Sequence, residues 1–150
     1  MLRVAGLEDV EELLGSTPGP ITIIFDADNT LVPQGVPIAV FQRDVQDAVE
    51  RFERRPEVAR VIVLTNGPER EVPTMIHRGN KPWTSRRRLG VNRDDHAIWV
   101  VGDQILTDGI LAWRLGAGYV QLAIDVTNEA NRQAAMRRLG SWIRRLLFVP

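Results

Sequence analysis

Three short apolar runs, each followed at once by small polar or acidic residues, constrain the fold of this chain more than any other feature. The runs cover residues 21–25, 60–64 and 97–101. Their length and β-branched content are typical of buried strands. Residues 39–52 and 105–115 have apolar positions spaced three and four apart, which predicts amphipathic helices. Strands that alternate with helices in this way predict an α/β fold with a mostly parallel central sheet.

The remaining segments complete this pattern. Residues 7–14 predict a short acidic helix, residues 119–124 a further strand and residues 128–148 a long terminal helix. Pro68 and Pro73 interrupt the connection that follows the second strand, so we expect a loop and a short strand over residues 74–77. With 150 residues and no repeat or linker-like tract, the chain is expected to form a single domain spanning residues 1–150.

Composition excludes several classes of function. The 19 basic and 19 acidic residues balance, so there is no overall field to recruit nucleic acid, and we expect no nucleic-acid partner. The absence of cysteine excludes disulfides, thiolate zinc sites and cysteine nucleophiles, and is typical of a cytoplasmic protein. Lys81 is the single lysine beside 18 arginines. It marks either a position that needs a compact ammonium group or a position of no special role.

Polar residues follow each of the three predicted strands. They are Asp26, Asp28, Asn29 and Thr30 after the first, Thr65 and Asn66 after the second, and Asp103 after the third, with Asp108 five residues on. Each alone would be an ordinary turn or cap residue. In a parallel sheet, however, these ends share one edge, where clustered carboxylates repel one another unless a cation lies among them. Hard oxygen ligands favour Mg²⁺, and Mg²⁺ beside a lysine suits phosphoryl chemistry.

Four segments of the chain resemble, in order, the four motifs of the haloacid dehalogenase-like phosphohydrolases. They are FDADNTL at residues 25–31, LTN at 64–66, KP at 81–82 and GDQILTD at 102–108. The forms of the first and last motifs, with no large insertion between motifs, resemble subclass IIIA and its YqeG-type branch. Relatives of that branch include phosphatidylglycerophosphate phosphatases. The resemblance implies a three-layer Rossmann-like fold with no cap domain.

The resemblance also implies a role for each motif residue. Asp26 would attack phosphorus and Asp28 would serve as general acid and base. Lys81 would bridge the phosphate and the nucleophile, and would neutralise charge in the transition state. The phosphoryl oxygens would be bound by Lys81 together with Thr65 and Asn66. The Mg²⁺ ligands would come from Asp26, from Asp28 through its main-chain carbonyl, and from Asp103, with Asp108 orienting metal waters or Lys81.

The substrate stays open at this level. Phosphatidylglycerophosphate is the substrate that the resemblance favours, and a soluble sugar or nucleotide phosphate is the alternative. A third alternative is a catalytically idle interaction module. The predicted helix at residues 128–148 has an apolar face opposite an arginine face. It either packs on the sheet or lies in a membrane interface, which would make a cytoplasmic protein peripheral to the membrane. The sequence does not specify an oligomeric state.

Overall fold

The computed structural model describes residues 1–67, 70, 72, 75–76, 79–92 and 97–123, with residues 75 and 76 described by their backbone. The strands are β1 (Leu2–Val4), β2 (Ile21–Phe25), β3 (Val58–Leu64), β4 (Met75–Ile76), β5 (Ala97–Gly102) and β6 (Gly118–Leu122). The helices are α1 (Leu7–Gly15), α2 (Ile38–Glu53), α3 (Arg86–Leu89) and α4 (Ile110–Leu115). A π-helical turn, Ile105–Gly109, leads directly into α4.

The six strands form one sheet in the order β1-β6-β5-β2-β3-β4, and all five pairs of neighbours are parallel. The prediction of an α/β fold with a parallel sheet is confirmed. Strand β2 is buried along its whole length and has a neighbour on each side, which explains why its sequence is continuously apolar rather than alternating.

Helices cover both faces of the sheet. On one face, α1 and α2 pack against alternate strand residues such as Ile23 and Phe25, and Phe25 contacts Phe52 with ring centroids 4.7 Å apart. On the other face, α3 and α4 pack against Ile24 and the residues that share its side of the sheet. Successive side chains of a strand point to opposite faces, so one apolar run supplies both cores. The result is a helix–sheet–helix sandwich.

The order of the strands places β2 at a reversal of the chain. From β2 the chain continues to β3 and β4 on one side, and then crosses to β5 and β6 on the other. The crevice beyond the carboxyl ends at such a reversal is where open α/β sheets bind ligands. Residues 26–57, all of them described, contain α2 and its loops and no inserted domain, as the sequence predicted.

Three segments differ from their predictions or lie outside the described residues. Strand β1 was not predicted, and it pairs with β6 at the sheet edge. The helix predicted over residues 105–115 begins as a π-helical turn, because the Gln104 carbonyl accepts hydrogen bonds from the amides of Asp108 at 2.8 Å and Gly109 at 3.4 Å. The helix predicted over residues 128–148, with its alternatives of sheet packing or membrane contact, lies outside the described residues. Among the described residues, no helix has the length and apolar character needed to cross a bilayer.

Candidate functional site

Asp26 is the first residue beyond β2 and is held by its main chain. Its amide donates to the carbonyl of Val101 on β5 at 2.9 Å, so the ladder between the two strands extends past the last residue of β2. Immediately after it, the carbonyl of Ala27 accepts hydrogen bonds from the amides of Leu31 at 3.0 Å and Val32 at 3.1 Å. The chain turns through Asn29, which has a left-handed φ of 59°. This tight loop keeps Asp26 and Asp28 at the edge of the sheet.

Three buried carboxylates meet at that edge. One oxygen from each of Asp26, Asp103 and Asp108 lies within 4.8 Å of the others. Burial raises the pKa of Asp26 to about 8, and repulsion from Asp108 adds to this effect, while the neighbouring Lys81 opposes it. A carboxyl group with such a pKa is held in an environment that disfavours its charge, and a nearby cation would reverse this preference.

Lys81 is buried among these carboxylates. Its Nζ atom donates to Asp26 Oδ1 at 2.5 Å and to Asp108 Oδ1 at 2.8 Å, and its side chain is 4% exposed. Burial alone would lower the pKa of Lys81, but the attraction of Asp108 and Asp26 outweighs it and raises the pKa above its ordinary value. The lysine is therefore charged throughout the neutral range and partly neutralises the acidic cluster. The structure thus places Asp108 in contact with Lys81, and this contact is the one that the expected role of orienting Lys81 requires.

Asn66 binds the main chain of Lys81. Its Oδ1 atom accepts from the Lys81 amide at 2.8 Å and its Nδ2 atom donates to the Lys81 carbonyl at 3.0 Å. Asn80, just before the lysine, has a left-handed φ of 53°, and the Lys81–Pro82 peptide bond is cis. The two hydrogen bonds of the Asn66 side chain connect the end of β3 directly to the loop that carries the lysine.

Asp28 lies apart from the three clustered carboxylates. Its Oδ2 atom accepts from Thr65 Oγ1 at 3.3 Å, and its Oδ1 atom accepts from Arg70 Nη1 at 2.7 Å. The Thr65 hydroxyl in turn accepts from the amide of Gly67 at 2.9 Å. The single proton of Thr65 is thus directed at Asp28 in this arrangement. The hydroxyl oxygen stays at the end of β3, where a phosphoryl group was expected.

A polar cavity of about 200 Å³ opens at this point. Its wall is formed by residues that follow β2, β3 and β5 and by the loop of Lys81, namely Asp26, Asp28, Asn29, Gln34, Thr65, Asn66, Gly67, Lys81, Gln104 and Thr107. Asp103 and Asp108, 3% and 1% exposed, are buried beside it. The cavity thus combines five of the seven residues that the sequence predicted for the site, and the remaining two are next to it.

Arg70 was not predicted as part of the site. Besides its contact with Asp28, its guanidinium carbon lies 4.0 Å from the centroid of the Phe41 ring on α2. It falls in the proline-flanked connection after β3, where no hydrophobic period or motif distinguishes one arginine from the 17 others. Gln34, Gln104 and Thr107 also line the cavity, and they were missed because they lie in loops or in the π-helical turn, whose paths the sequence pattern does not reveal.

The donor set fits a small hard cation. Three carboxylates can each offer one oxygen, with no sulfur or imidazole among them. Mg²⁺ prefers such oxygen donors, and its charge would oppose the burial and the repulsion from Asp108 that together raise the pKa of Asp26. Asp28 contributes no carboxylate oxygen to this group, so a metal contact through its main-chain carbonyl stays a prediction.

Comparison of the chain with protein-family models, with curated proteins and with solved structures finds no match. The resemblance to the haloacid dehalogenase-like phosphohydrolases therefore stays a prediction from the four motifs.

Proposed function

We propose that this protein hydrolyses phosphate monoesters through an aspartyl-phosphate on Asp26, with Mg²⁺ as its cofactor. The observation that carries the proposal is the position of Lys81, a buried ammonium group between Asp26 and Asp108 at the wall of a polar cavity. Burying these charges is costly, and a dianionic phosphate needs cations beside a carboxylate nucleophile, of which Lys81 supplies one.

In the first step a carboxylate oxygen of Asp26 attacks phosphorus, and the bond between phosphorus and the leaving oxygen breaks. Asp28, in its protonated form, gives its proton to that leaving oxygen. Lys81 neutralises charge that develops on the phosphoryl oxygens, while its contact with Asp108 keeps the ammonium group in place. Asp26, Asp103 and the Asp28 carbonyl would hold Mg²⁺, with Asp108 beside them, and the ion would supply further positive charge next to the phosphoryl group.

In the second step water attacks the phosphorus of the aspartyl-phosphate. The Asp28 carboxylate accepts a proton from that water, the bond between phosphorus and Asp26 breaks, and inorganic phosphate leaves. Asp28 regains the proton it lost in the first step, and Asp26 returns as a carboxylate. The Thr65 proton is directed at Asp28 in this structure, so the phosphoryl oxygens would be bound in both steps by Lys81 and by the main-chain N–H of Asn66, two residues that line the same cavity.

The preferred substrate is a phosphate carried by a lipid headgroup, for which phosphatidylglycerophosphate is the specific candidate. Two points support it: the motif resemblance, and the absence of an inserted domain within residues 26–57 that would enclose a small molecule. A soluble sugar or nucleotide phosphate would undergo the same chemistry.

Phosphate release tests the proposal. The full chain is incubated with phosphatidylglycerophosphate in mixed micelles, and separately with 4-nitrophenyl phosphate and with sugar and nucleotide phosphates, in Mg²⁺ or in EDTA. We expect Mg²⁺-dependent release that Asp26→Asn reduces by at least about a thousandfold. Asp44→Asn on α2, where Asp44 pairs with Arg43 at 2.8 Å, is the matched control and should keep full activity.

The outcomes separate the alternatives. Release from the soluble compounds alone would retain the chemistry and overturn the lipid assignment. Full activity of Asp26→Asn would overturn the nucleophile. No release from any substrate in Mg²⁺ would overturn the proposed function and favour an interaction module.

A further inference from the structure

We infer that Arg70 is a positioning residue that holds the carboxyl group of Asp28 in the direction of the leaving oxygen. The inference rests on the proposed function, in which Asp28 gives and takes the proton. It adds a residue that lies outside all four sequence motifs, and it assigns that residue to one step of the reaction.

The contacts of Asp28 carry the first part of the argument. Arg70 Nη1 donates to one carboxylate oxygen at 2.7 Å, and Thr65 Oγ1 donates to the other at 3.3 Å. Two donors on two different oxygens fix the plane of a carboxylate as well as its position. An aspartate that exchanges a proton with a substrate needs that orientation, because proton transfer requires heavy atoms within hydrogen-bond reach.

The surroundings of Arg70 carry the second part. Its guanidinium group lies over the ring of Phe41, 4.0 Å from the centroid, and Phe41 is 1% exposed in the core beneath α2. Stacking on a buried ring restricts the arginine side chain to few conformations, whereas a free arginine side chain would sample many. Arg70 therefore connects Asp28 to the core between the helices and the sheet, so the position of Asp28 does not depend on its own loop alone.

The third part is the direction of approach. Asp28 lines the polar cavity, whereas Arg70, although among the described residues, is not part of the cavity wall. Both side chains of the pair are 19% exposed, so the contact is largely shielded from water. Arg70 thus acts on the substrate through Asp28, which makes it a positioning residue and not a catalytic one.

This role predicts an effect that depends on the leaving group. An alkyl phosphate needs a proton on its leaving oxygen as the bond to phosphorus breaks, whereas 4-nitrophenolate leaves readily without one. The quantity to compare is kcat/KM, because it reports the steps up to transfer of the phosphoryl group and is blind to the later attack of water.

Arg70→Gln should lower kcat/KM for an alkyl phosphate such as glycerol phosphate by about 10- to 100-fold, a part of the roughly 10²- to 10⁴-fold that general acid catalysis contributes. With 4-nitrophenyl phosphate the loss should stay within about threefold. Arg70→Lys, which keeps a charge but loses the planar fork, should fall between wild type and Arg70→Gln. Arg54→Gln is the matched control, since Arg54 is exposed and pairs with Glu50 on α2.

A second background tests whether the effect passes through Asp28. In Asp28→Asn the acid is already lost, so adding Arg70→Gln should cost no more than about threefold further on the alkyl substrate. In EDTA, Arg70→Gln should lower the midpoint of unfolding more when it is introduced into the wild-type chain than when it is introduced into Asp28→Asn. This measurement does not depend on activity.

Equal losses on the alkyl and nitrophenyl substrates would overturn the inference, and so would multiplicative losses in the double variant. Equal shifts of the unfolding midpoint in both backgrounds would overturn it as well, because the pair would then not form in solution. If Arg70→Gln does not fold, Arg70→Lys carries the same comparison. A wild-type chain inactive on both substrates would overturn the proposed function itself, which distinguishes that failure from this one.

Discussion

The side-chain amide of Asn66 binds both main-chain polar groups of Lys81, accepting from its amide at 2.8 Å and donating to its carbonyl at 3.0 Å. This pairing resembles one rung of a β-ladder, made by a side chain instead of a strand. It connects the end of β3 to the loop that carries the lysine, across 15 residues of sequence. The position of the buried ammonium group therefore depends on a residue whose own side chain lies partly in solvent.

Replacing Asn66 should loosen the lysine more than it destabilises the protein. Asn66→Ala removes both hydrogen bonds, and because Asn66 is exposed, water replaces them in part. We expect a loss of about 1 kcal/mol in the free energy of unfolding, measured by urea denaturation, and a loss of about tenfold or more in Mg²⁺-dependent phosphate release. Unchanged turnover in Asn66→Ala would contradict the role given to this pairing.

The raised pKa of Asp26 predicts how stability depends on pH. In the folded chain burial and Asp108 raise this pKa to about 8, against 3.8 as its ordinary value. Between about pH 4 and pH 8 the folded state therefore holds a proton that the unfolded state has lost, so the free energy of unfolding falls as the pH rises through this window. Lys81, with a pKa raised above 10.5, titrates outside it.

The measurement is urea denaturation in EDTA at several pH values for wild type and Asp26→Asn. The difference between the two removes contributions from all other groups. We expect Asp26→Asn to gain stability relative to wild type as the pH rises from about 4 to 8. A difference that is constant across this range would show that Asp26 does not titrate there.

Magnesium should stabilise the folded chain through the clustered carboxylates. A cation that binds only the folded state adds about 2.7 kcal/mol when its concentration is a hundred times its Kd. Thermal unfolding with and without Mg²⁺ measures the shift, which Asp103→Asn should abolish. Asp28→Asn keeps the main-chain carbonyl of this residue and should retain most of the Mg²⁺-induced shift. A full shift in Asp103→Asn would place the cation elsewhere.

Gly102 is a position where one added methyl group should disturb the site. A Cβ atom there would lie closer than 3.0 Å to three side-chain atoms of Asp108, the partner of Lys81. Gly102→Ala should therefore cost about 1–3 kcal/mol in the free energy of unfolding and reduce turnover. Gly15→Ala is the control, because its Cβ would meet only the flexible end of Arg55 at 3.1 Å. Equal behaviour of the two variants would contradict this packing.

The sequence predicts those strands and helices whose burial leaves a clear pattern of apolar residues. Strand β2 was predicted with its observed bounds, Ile21–Phe25, since a fully buried strand shows an unbroken apolar run. Strand β1 escaped prediction because its three residues lie at the sheet edge and carry no buried pattern. The π-helical turn was not predicted, because the spacing of apolar residues does not show whether a main-chain hydrogen bond spans four residues or five. The Asp108 side chain also contributes to this turn, since its Oδ2 atom accepts from the amide of Gln104 at 3.2 Å.

The same division holds within the site. Asp26, Asp103 and Asp108 were predicted together, because residues after parallel strands converge and clustered carboxylates need a cation, and the motif resemblance placed Lys81 with them. Which of them pair with which depends on side-chain directions that no spacing encodes. Asp28 was predicted beside Asp26, yet its carboxylate turns to Thr65 and Arg70. Arg70 itself lies in a connection whose path is set by tertiary contacts, so only the structure identifies it.

The contacts of Lys81 also bear on the order in which the molecule assembles. Its partners are 55 and 27 residues away along the chain, so the charged centre closes two long loops. Loop closure costs chain entropy before any contact compensates for it, and bringing three carboxylates together adds electrostatic work. We therefore expect the contacts of Lys81 with Asp26 and Asp108 to form after the transition state of folding, once β2, β3 and β5 have paired. Substitutions in the centre should then change the unfolding rate and leave the folding rate nearly untouched.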